Sequence, residues 1–307
     1  MNEQRWFHRR GELRRDGWES VVDATTPGWQ HTGIRIAEII DGDHLALEGA
    51  ALERIVVPLV GSFTVTHRHH LGEEETQLQG RPSVFAGPTD VLYLPAGTTA
   101  EIRGRGRVAV AEAPTTERRP WRYIAAAETP VELRGRGASS RQVHNFGTPQ
   151  ALDAARLIVC EVITPAENWS SYPPHKHDEH VPGHESRLEE IYYFESAPAR
   201  TAAASADEGA AFGMFSTYAS PAGEIDTNAM VRTGDIALVP YGYHGPAVAA
   251  PGYDLYYLNV MAGPDPERAW LISDDPAHAW VRDSWDGQEL DPRLPFTNDS
   301  RKAGADD

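Results

Sequence analysis

The sequence predicts an all-β protein made of two tandem β-barrel domains, and three observations support this. Short segments rich in β-branched and aromatic residues recur along the chain and end at Gly, Asp or Pro, as in sandwiches and barrels. The 27 Gly and 23 Pro among 307 residues supply the turns that many short strands need. One eight-residue pattern occurs twice: Asp90–Gly97 (DVLYLPAG) matches Asp235–Gly242 (DIALVPYG) at an offset of 145 residues.

The repeated pattern indicates a duplicated domain. In both copies an Asp opens a strand of four apolar residues, Pro-x-Gly closes it, and further strand-like segments follow. We therefore expect an N-terminal barrel over residues 1–150 and a second barrel over residues 151–270. Residues 271–307 are expected to form a C-terminal extension that ends in a polar, mobile tail.

In the first half, residues 1–30 are polar and predict a packed N-terminal arm. Seven strand-like segments follow: Ile34–Ile40, His44–Glu48, Ile55–Val60, Ser62–Thr66, Val91–Leu94, Thr99–Ile102 and Arg107–Ala111. Residues 115–150 lack this pattern and predict an irregular connection. Within it, Arg134–Arg141 (RGRGASSR) predicts a solvated linker, because no strand-loop-helix context supports a phosphate-binding loop.

In the second half, strand-like segments resume at Leu157–Ile163, Glu190–Glu195, Phe212–Tyr218, Met230–Arg232, Ile236–Val239 and Tyr253–Met261. The Ala-rich, acidic segment 197–209 predicts a surface loop or a short helix. The extension after Gly263 carries three tryptophans before the polar tail, Thr297–Asp307.

Composition and charge exclude several classes of function. A net charge of −17 disfavours nucleic acid and anionic membranes as partners. The N-terminal segment, Met1–Arg10, lacks the apolar region of a signal peptide, and no apolar run is long enough to span a bilayer. The single cysteine, Cys160, predicts a buried core residue in a reducing compartment. We therefore expect a cytoplasmic protein.

One stretch predicts a metal site. Ser171–Asp178 (SYPPHKHD) contains two prolines that favour extended backbone, followed by His175 and His177. Residues i and i+2 of a strand share a face, so both imidazoles can bind one ion while Lys176 points away. His244 follows a Pro-Tyr-Gly turn and is the predicted third histidine. Such ligands suit one divalent ion of Zn, Mn, Fe or Ni, and the sequence does not choose among them.

The expected carboxylate ligand is Glu190, which directly precedes the apolar strand, with Glu189 as the alternative. The first half is expected to bind no metal, because the 145-residue offset places Thr99 where the second half has His244. The cluster of His67, His69 and His70 lies after Gly61 and predicts a polar edge or loop.

These motifs resemble the cupin superfamily: His-x-His, a glutamate that opens the next strand, and a histidine after Pro-x-Gly. Two departures are notable, namely twelve residues between His177 and Glu190 and a single residue between Gly242 and His244. These departures point to one family within the superfamily. The chain resembles the 5-deoxyglucuronate isomerase family of bacterial myo-inositol catabolism in three segments: Ser171–Asp178, Leu188–Phe194 (LEEIYYF) and Tyr253–Pro264 (YDLYYLNVMAGP). The resemblance covers roughly residues 30–282.

The resemblance implies a bicupin fold, that is, two tandem double-stranded β-helix (jelly-roll) barrels. It also implies conversion of 5-deoxyglucuronate, a small sugar acid, to 5-dehydro-2-deoxygluconate by an aldose–ketose isomerase. A homodimer is expected on the same ground. The alternatives are an enzyme similar to the one that isomerises 5-keto-4-deoxyuronate, an Fe dioxygenase, or a non-catalytic sugar-binding cupin.

Such an isomerase needs a base for the C2 proton and a cation for the substrate carboxylate. The candidate catalytic residues are His184, in the segment between His177 and Glu190, and Tyr192, on the face of the strand that carries Glu190. The candidate substrate-binding residues are Arg187, then Lys176, together with Tyr256 and Asn259 on the strand after His244. Tyr256 and Asn259 are three residues apart, so at most one of them faces the barrel interior.

Overall fold

The computed structural model of the protein describes residues 5–40, 42–200, 202–203 and 205–297, and these residues form mainly antiparallel β-structure. The first nine strands of the described residues are β1 (Phe7–His8), β2 (Ser20–Val22), β3 (Gly33–Ile39), β4 (His44–Leu47), β5 (Leu52–His69), β6 (Gly72–Arg81), β7 (Val91–Leu94), β8 (Thr99–Pro114) and β9 (Arg122–Ile124).

Twelve more strands follow in the described part of the chain, and the first two of them precede residue 150. They are β10 (Val131–Arg134), β11 (Arg141–Gly147), β12 (Ile158–Thr164), β13 (Trp169–Ser170), β14 (His175–Lys176), β15 (Glu189–Pro198), β16 (Gly213–Tyr218), β17 (Thr227–Val231), β18 (Ile236–Val239), β19 (Tyr243–Ala249), β20 (Tyr253–Ala262) and β21 (Ser273–Asp274). The helices are one-turn 3-10 segments at Val84–Ala86, Ala126–Glu128, Gly137–Ser139, Glu208–Ala210, Ala279–Val281 and Asp283–Trp285. Among the described residues, none of the helices has the length and apolar character of a membrane span.

The first half forms one sheet in the order β2-β3-β8-β5-β7-β9, with β4 on β8 and β6 on β5. The long strand β5 joins two segments that the sequence separates at Gly61. Gly61 has φ +90°, and a Cβ there would lie 2.0 Å from the carbonyl oxygen of Arg105, so the close approach of β5 to β8 requires glycine. The mostly polar strand β6 was not predicted, because its Glu-rich sequence lacks apolar alternation.

The second half contains two sheets. One has the order β1-β18-β15-β20-β12-β11-β10, and the other has the order β17-β16-β19-β14-β21 with β13 on β19. A buried cluster that includes Cys160, Phe194 and Phe215 fills the space between them. A larger buried cluster joins the two halves, and its members include Ile55, Tyr93, Ile191 and Tyr256.

The two halves also share strands across the predicted boundary at residue 150. β11 pairs with β12 and β10 pairs with β11, so both belong to a sheet of the second half, and β1 near the N-terminus pairs with β18. The prediction of an irregular connection over residues 115–150 is therefore wrong for β9, β10 and β11. Their short length and the adjacent Arg-Gly pairs hide the strand pattern. The domain boundaries themselves stay predictions.

Two smaller expectations concern segments that are only partly described. In segment 197–209, the first two residues end β15 and the last two begin a 3-10 turn, while residues 201 and 204 lie outside the described residues. The predicted mobile tail lies outside them from residue 298 onward.

Candidate metal centre

Three histidines converge inside the second barrel. His175 of β14 lies directly opposite His244 of β19 in the strand register, and their ring centroids are 4.5 Å apart. His177 follows β14, and its ring is 4.6 Å from that of His244. One ligand nitrogen from each of the three residues lies within 4.8 Å of the others. The alternation of extended backbone thus brings His175 and His177 together, and the neighbouring antiparallel strand β19 adds His244.

Glu190 completes the cluster. Its Oε2 lies 2.9 Å from Nε2 of His177 and 3.1 Å from Nε2 of His244. Burial alone would raise the pKa of Glu190, but the hydrogen bond with His177 and the charge interactions with His177 and His244 outweigh it and lower the pKa to about 2. Burial, together with the neighbouring His244 and His177, lowers the pKa of His175 well below its usual value. The carboxylate is thus anionic and the His175 imidazole neutral, which are the forms that bind metal ions.

The three imidazoles are oriented by backbone carbonyl groups. Nδ1 of His177 lies 3.0 Å from the oxygen of Leu188, Nδ1 of His175 lies 3.3 Å from that of Pro173, and Nδ1 of His244 lies 3.2 Å from that of Gly242. Such contacts hold an imidazole with Nε2 directed at a metal.

The donor set fits a divalent ion. Nε2 of His244 is buried and makes no hydrogen bond of acceptable geometry among the described residues, although Glu190 is nearby. A buried, unsatisfied imidazole nitrogen beside two further imidazoles and a carboxylate matches a three-histidine, one-carboxylate site with room for exchangeable ligands.

The neighbouring carboxylate of Glu189 points out of the barrel. Glu189 Oε1 accepts hydrogen bonds from the backbone N–H groups of His31 at 2.5 Å and Thr32 at 2.6 Å. Gln30 N also contacts this carboxylate. Glu189 therefore connects β15 to the segment before β3, while Glu190 faces the histidines. This division follows from strand alternation, which sends adjacent side chains to opposite faces.

A cavity of about 420 Å³ opens onto the cluster. His175 and Glu190 line it, together with the predicted residues Tyr192 and Asn259. The hydroxyl of Tyr192 lies 3.1 Å from Oγ of Ser171, and Nδ2 of Asn259 is buried without a hydrogen-bond partner in the described part of the chain. Burial raises the pKa of Tyr192 well above its usual value, so this phenol remains protonated. The structure thus places Tyr192 and Asn259 beside the site.

Two residues of the segment between His177 and Glu190 do not line this cavity, contrary to prediction. His184 is exposed in the turn between Val181 and Glu185. The side chain of Arg187 is 53% exposed and lies 3.6 Å from Asp265, with which it forms a surface ion pair. The sequence predicted both as residues that meet the substrate, but the segment folds against residue 265 and holds them outside.

Lys176 is buried on the other side of β14. Its ammonium group donates hydrogen bonds to Asp178 at 2.8 Å, Glu179 at 2.9 Å and Glu185 at 2.9 Å. The alternation argument that Lys176 points away from the histidines is correct. This arrangement does not support the prediction that Lys176 binds the substrate, because three carboxylates already surround its charge and Lys176 is not among the residues that line the cavity.

Tyr256 also lies away from the cavity. Its hydroxyl donates a 2.7 Å hydrogen bond to Glu161, and the same carboxylate forms a buried bidentate ion pair with Arg81. Tyr256 thus belongs to the contact between the two halves. Of the Tyr256 and Asn259 pair, only Asn259 faces the site, in agreement with the expectation that at most one of them does.

Sequence reasoning missed the cationic wall of the cavity. Arg134, Arg141 and Arg282 line it, and Trp270 lies beside them. Arg134 and Arg141 are the first and last residues of the segment for which the sequence predicts a solvated linker, and that prediction is wrong for these two residues. The guanidinium carbon of Arg134 lies 5.7 Å from the ring centre of Trp270. This contact joins the segment to the C-terminal extension, which only the folded chain brings close.

The first half carries an arginine where the second half carries Glu190. In the strand register, Arg54 of β5 lies opposite Leu94 of β7, and Glu190 of β15 lies opposite Val239 of β18. Leu94 and Val239 are equivalent positions of the 145-residue repeat, so Arg54 and Glu190 are equivalent as well. Arg54 is 3% exposed and forms a 2.7 Å ion pair with Glu112. A guanidinium at this position disfavours a cation there.

The histidines of the first half only partly match the predicted polar edge. His67 is fully buried on β5, with its ring 5.0 Å from that of Trp121, whereas His70 is exposed at the end of the strand. The interpretation as a polar edge or loop is therefore wrong for His67. The absence of a metal in this half stays a prediction.

The fold and the site define a bicupin, with paired barrels of which the second holds three histidines and a glutamate around one point. Comparison with known proteins agrees, and the chain belongs to the KduI/IolB family, whose sequence model matches residues 6–281.

Among curated relatives, the chain is 39% identical over 272 residues to the 5-deoxy-glucuronate isomerase of Geobacillus thermodenitrificans, covering 87% of this chain and 93% of that protein. It is 33% identical over 282 residues to the enzyme of the same name from Lacticaseibacillus casei, covering 90% and 98%.

Two solved structures illustrate the fold. The crystal structure of an IolB-like protein from Salmonella typhimurium LT2 is 31% identical, with a TM-score of 0.79 over 90% of this chain and 99% of that one. The oxalate decarboxylase of Lactobacillus farciminis is 9% identical, with a TM-score of 0.60 and 88% of each chain covered, and this likeness shows the fold alone.

Proposed function

We propose that the protein is a 5-deoxy-glucuronate isomerase that interconverts an aldose and a ketose acid. One observation carries this proposal: a chain similar over most of its length to enzymes of that name also gathers His175, His177, His244 and Glu190 at a cavity. The cavity volume, about 420 Å³, suits a six-carbon sugar acid.

The reaction moves one hydrogen from C2 to C1 and one proton from the C2 hydroxyl to the C1 oxygen. The three histidines and Glu190 would hold a divalent metal ion, and such an ion would supply Lewis-acid chemistry at the carbonyl group of the substrate. The remaining task of the chain is to position the sugar so that these two proton transfers take place between adjacent carbons.

A group of hydroxyls beside the site supports that positioning. Oγ of Ser171 lies 3.1 Å from the Tyr192 hydroxyl and 3.3 Å from the Tyr257 hydroxyl. Ser171 has φ +44°, an uncommon conformation for a residue other than glycine, and this places its side chain between the two phenols. We infer that Tyr192 donates a hydrogen bond to a substrate oxygen while Ser171 accepts one from the neighbouring phenol. Asn259, with its unsatisfied Nδ2, is a second donor.

The test is to incubate the purified protein with 5-deoxyglucuronate under anaerobic conditions and to follow ketose formation by NMR. We expect turnover without oxygen, loss of turnover with a chelator, and recovery after a divalent metal is returned. His177→Ala is expected to abolish turnover, while His70→Ala, a change of an exposed histidine in the first half, leaves it intact. Full turnover by a metal-free His177→Ala protein would contradict the proposal.

Two further points follow from the resemblance and remain proposals. We place the reaction in the cytoplasmic breakdown of myo-inositol, where a sugar acid of this type is consumed. We also propose a homodimer, and light scattering coupled to size-exclusion chromatography measures the mass of the assembly.

A further inference from the structure

Two of the three arginines in the cavity wall are neutralised by partners of their own. Nη2 of Arg134 lies 2.7 Å from Glu132, and Nε of Arg134 donates to the same carboxylate. Arg282 forms a bidentate ion pair with Asp274, in which Nη2 lies 2.6 Å from Oδ1. Each of these charges is satisfied before any ligand enters, so neither guanidinium needs a further anion.

Arg141 differs from both. The residue is 5% exposed, and the one hydrogen bond of its side chain among the described residues runs from Nη1 to the backbone oxygen of Ser139 at 3.0 Å. No carboxylate of the described chain contacts its guanidinium, whose central carbon lies 5.5 Å from the ring centre of Trp285. A buried cation without an anion is costly, because burial removes water and a single carbonyl group replaces only part of the lost hydration.

The electrostatic surroundings of Arg141 agree with this picture. Burial, together with the charges of Arg134 and Arg282, lowers the pKa of Arg141 to about 10. The group is still charged near neutral pH, but its cationic form is less stable there than in water. An anion in the cavity would relieve this penalty, because it would supply the missing counter-charge and acceptors for the free N–H groups.

We propose that Arg141 is the residue that binds the carboxylate of the sugar acid in this cavity and thereby selects acids over neutral sugars. This inference rests on the proposed function, since it places the carboxylate at the arginine wall and the aldehyde carbon at the metal centre of the same cavity. A planar guanidinium offers two parallel N–H groups to a carboxylate, which Lys176 or a hydroxyl cannot do. A neutral sugar leaves the Arg141 charge uncompensated and binds less well.

The experiment measures equilibrium binding by calorimetry, with D-gluconate and D-glucitol as probes. The two molecules have the same carbon chain and differ at one end, where gluconate has a carboxylate and glucitol a hydroxymethyl group. Neither has an aldehyde, so binding is measured without turnover. We expect the wild-type protein to bind gluconate roughly 10- to 100-fold more tightly than glucitol, the range that hydrogen bonds to a charged group provide.

Variants then assign the preference to one residue. Arg141→Met is expected to remove the preference for gluconate and to leave glucitol binding unchanged. Arg136→Met, a matched change of an exposed arginine in the same segment, is expected to keep the preference. Arg141→Lys keeps a cation without the bidentate geometry and is expected to retain part of the preference for gluconate over glucitol. Circular dichroism and thermal unfolding verify that each variant is folded. If Arg141→Met does not fold, the ratio of the gluconate and glucitol affinities in the wild-type protein and in Arg141→Lys still tests the role of Arg141.

The outcomes separate this inference from the proposed function. Equal affinity of the wild-type protein for the two probes, no binding of gluconate, or a full preference in Arg141→Met or Arg141→Lys would overturn the role of Arg141. If instead the preference depends on Arg141 while 5-deoxyglucuronate is not isomerised, the carboxylate site stands and the proposed reaction fails. In steady-state kinetics with 5-deoxyglucuronate, Arg141→Met is expected to raise KM more than it lowers kcat.

Discussion

Glu53 of β5 and Glu189 of β15 hold the two halves of the chain together through reciprocal contacts. Glu53 accepts hydrogen bonds from the backbone N–H groups of Arg156 at 2.5 Å and Leu157 at 2.6 Å, just before β12. Glu189 accepts equivalent bonds before β3. The two glutamates occupy matching positions, since each is paired with an alanine of the long strand beside it, Ala113 or Ala262. Each half thus supplies a carboxylate for unpaired backbone groups of the other.

We expect Glu53→Gln to destabilise the whole chain. A glutamine offers one acceptor oxygen where the native carboxylate offers two, and its NH₂ group faces backbone donors. The free energy of unfolding should fall by about 1–3 kcal/mol, the cost of leaving buried polar groups unsatisfied. Urea denaturation measures it, with the exposed Glu128→Gln as control. An equal effect of both changes would show that the contact contributes nothing.

Adjacent glutamates provide a test of the metal site. Glu190→Gln should lower the affinity for a divalent ion by at least about 100-fold, because it removes a charged ligand, whereas Glu189→Gln should keep the affinity while it lowers stability. Metal content measured by mass spectrometry after dialysis is expected to be about one ion per chain for wild type and Glu189→Gln. The assignment of Glu190 fails if the two variants lose metal equally.

The buried ion pair of Arg81 with Glu161 predicts a pH dependence of stability. Burial would raise the pKa of Glu161, but Arg81 and His144 outweigh it and lower the pKa to about 2 from the usual 4.5. A depressed carboxyl pKa stabilises the fold fully above the unfolded value, and this contribution disappears as the pH falls from about 4.5 towards about 2.

The measurement is the free energy of unfolding between pH 7 and pH 3 for wild type and Glu161→Gln. We expect Glu161→Gln to be several kcal/mol less stable at pH 7, because Arg81 is left buried without its partner. The difference should narrow below about pH 4.5. The exposed Glu117→Gln should follow the wild-type curve throughout. A difference that stays constant down to pH 3 would rule out this origin of the acid sensitivity.

Tyr192 and His184, the two residues predicted to be catalytic, should behave differently. Tyr192→Phe removes a donor from the wall of the cavity and is expected to lower kcat roughly tenfold, the worth of one hydrogen bond, with metal content unchanged. His184→Ala should stay within about twofold of wild type, since the exposed imidazole makes no contact with the cavity. Steady-state kinetics with 5-deoxyglucuronate measure kcat of both variants and compare it with that of the wild-type protein. A large loss in His184→Ala would indicate that the exposed turn closes over the substrate.

The metal cluster was predictable from local rules. His175 and His177 share a face because strands alternate, and the same rule separates Glu190 from Glu189. The prediction of His244 rests on its position directly after the Pro-x-Gly turn, which matches the cupin pattern. The first copy of the repeat has Thr99 at this position and gives no such signal. In each case the signal lies within a few residues of sequence.

The arginine wall was not predictable in this way. Arg134 and Arg141 come from a segment without apolar periodicity, and the tryptophans that cover them, Trp270 and Trp285, come from the far end of the chain. The proximity of these residues depends on the sheet that β10 and β11 join, which only the tertiary structure reveals. The same limit explains why the sequence favours Arg187, which is close in sequence to the predicted metal ligands, and gives no signal for Arg141.

Arg54 has a consequence for protein engineering. A designer who wished to install a second site of this kind in the first barrel would have to reverse the charge at residue 54 and also introduce histidines. Glu112 would keep its ion pair with Arg35, but a carboxylate at residue 54 would lie beside the buried Glu112 and cost stability before any new activity appears. The first barrel is therefore better suited to redesign as a scaffold or a binding surface than as a second active site.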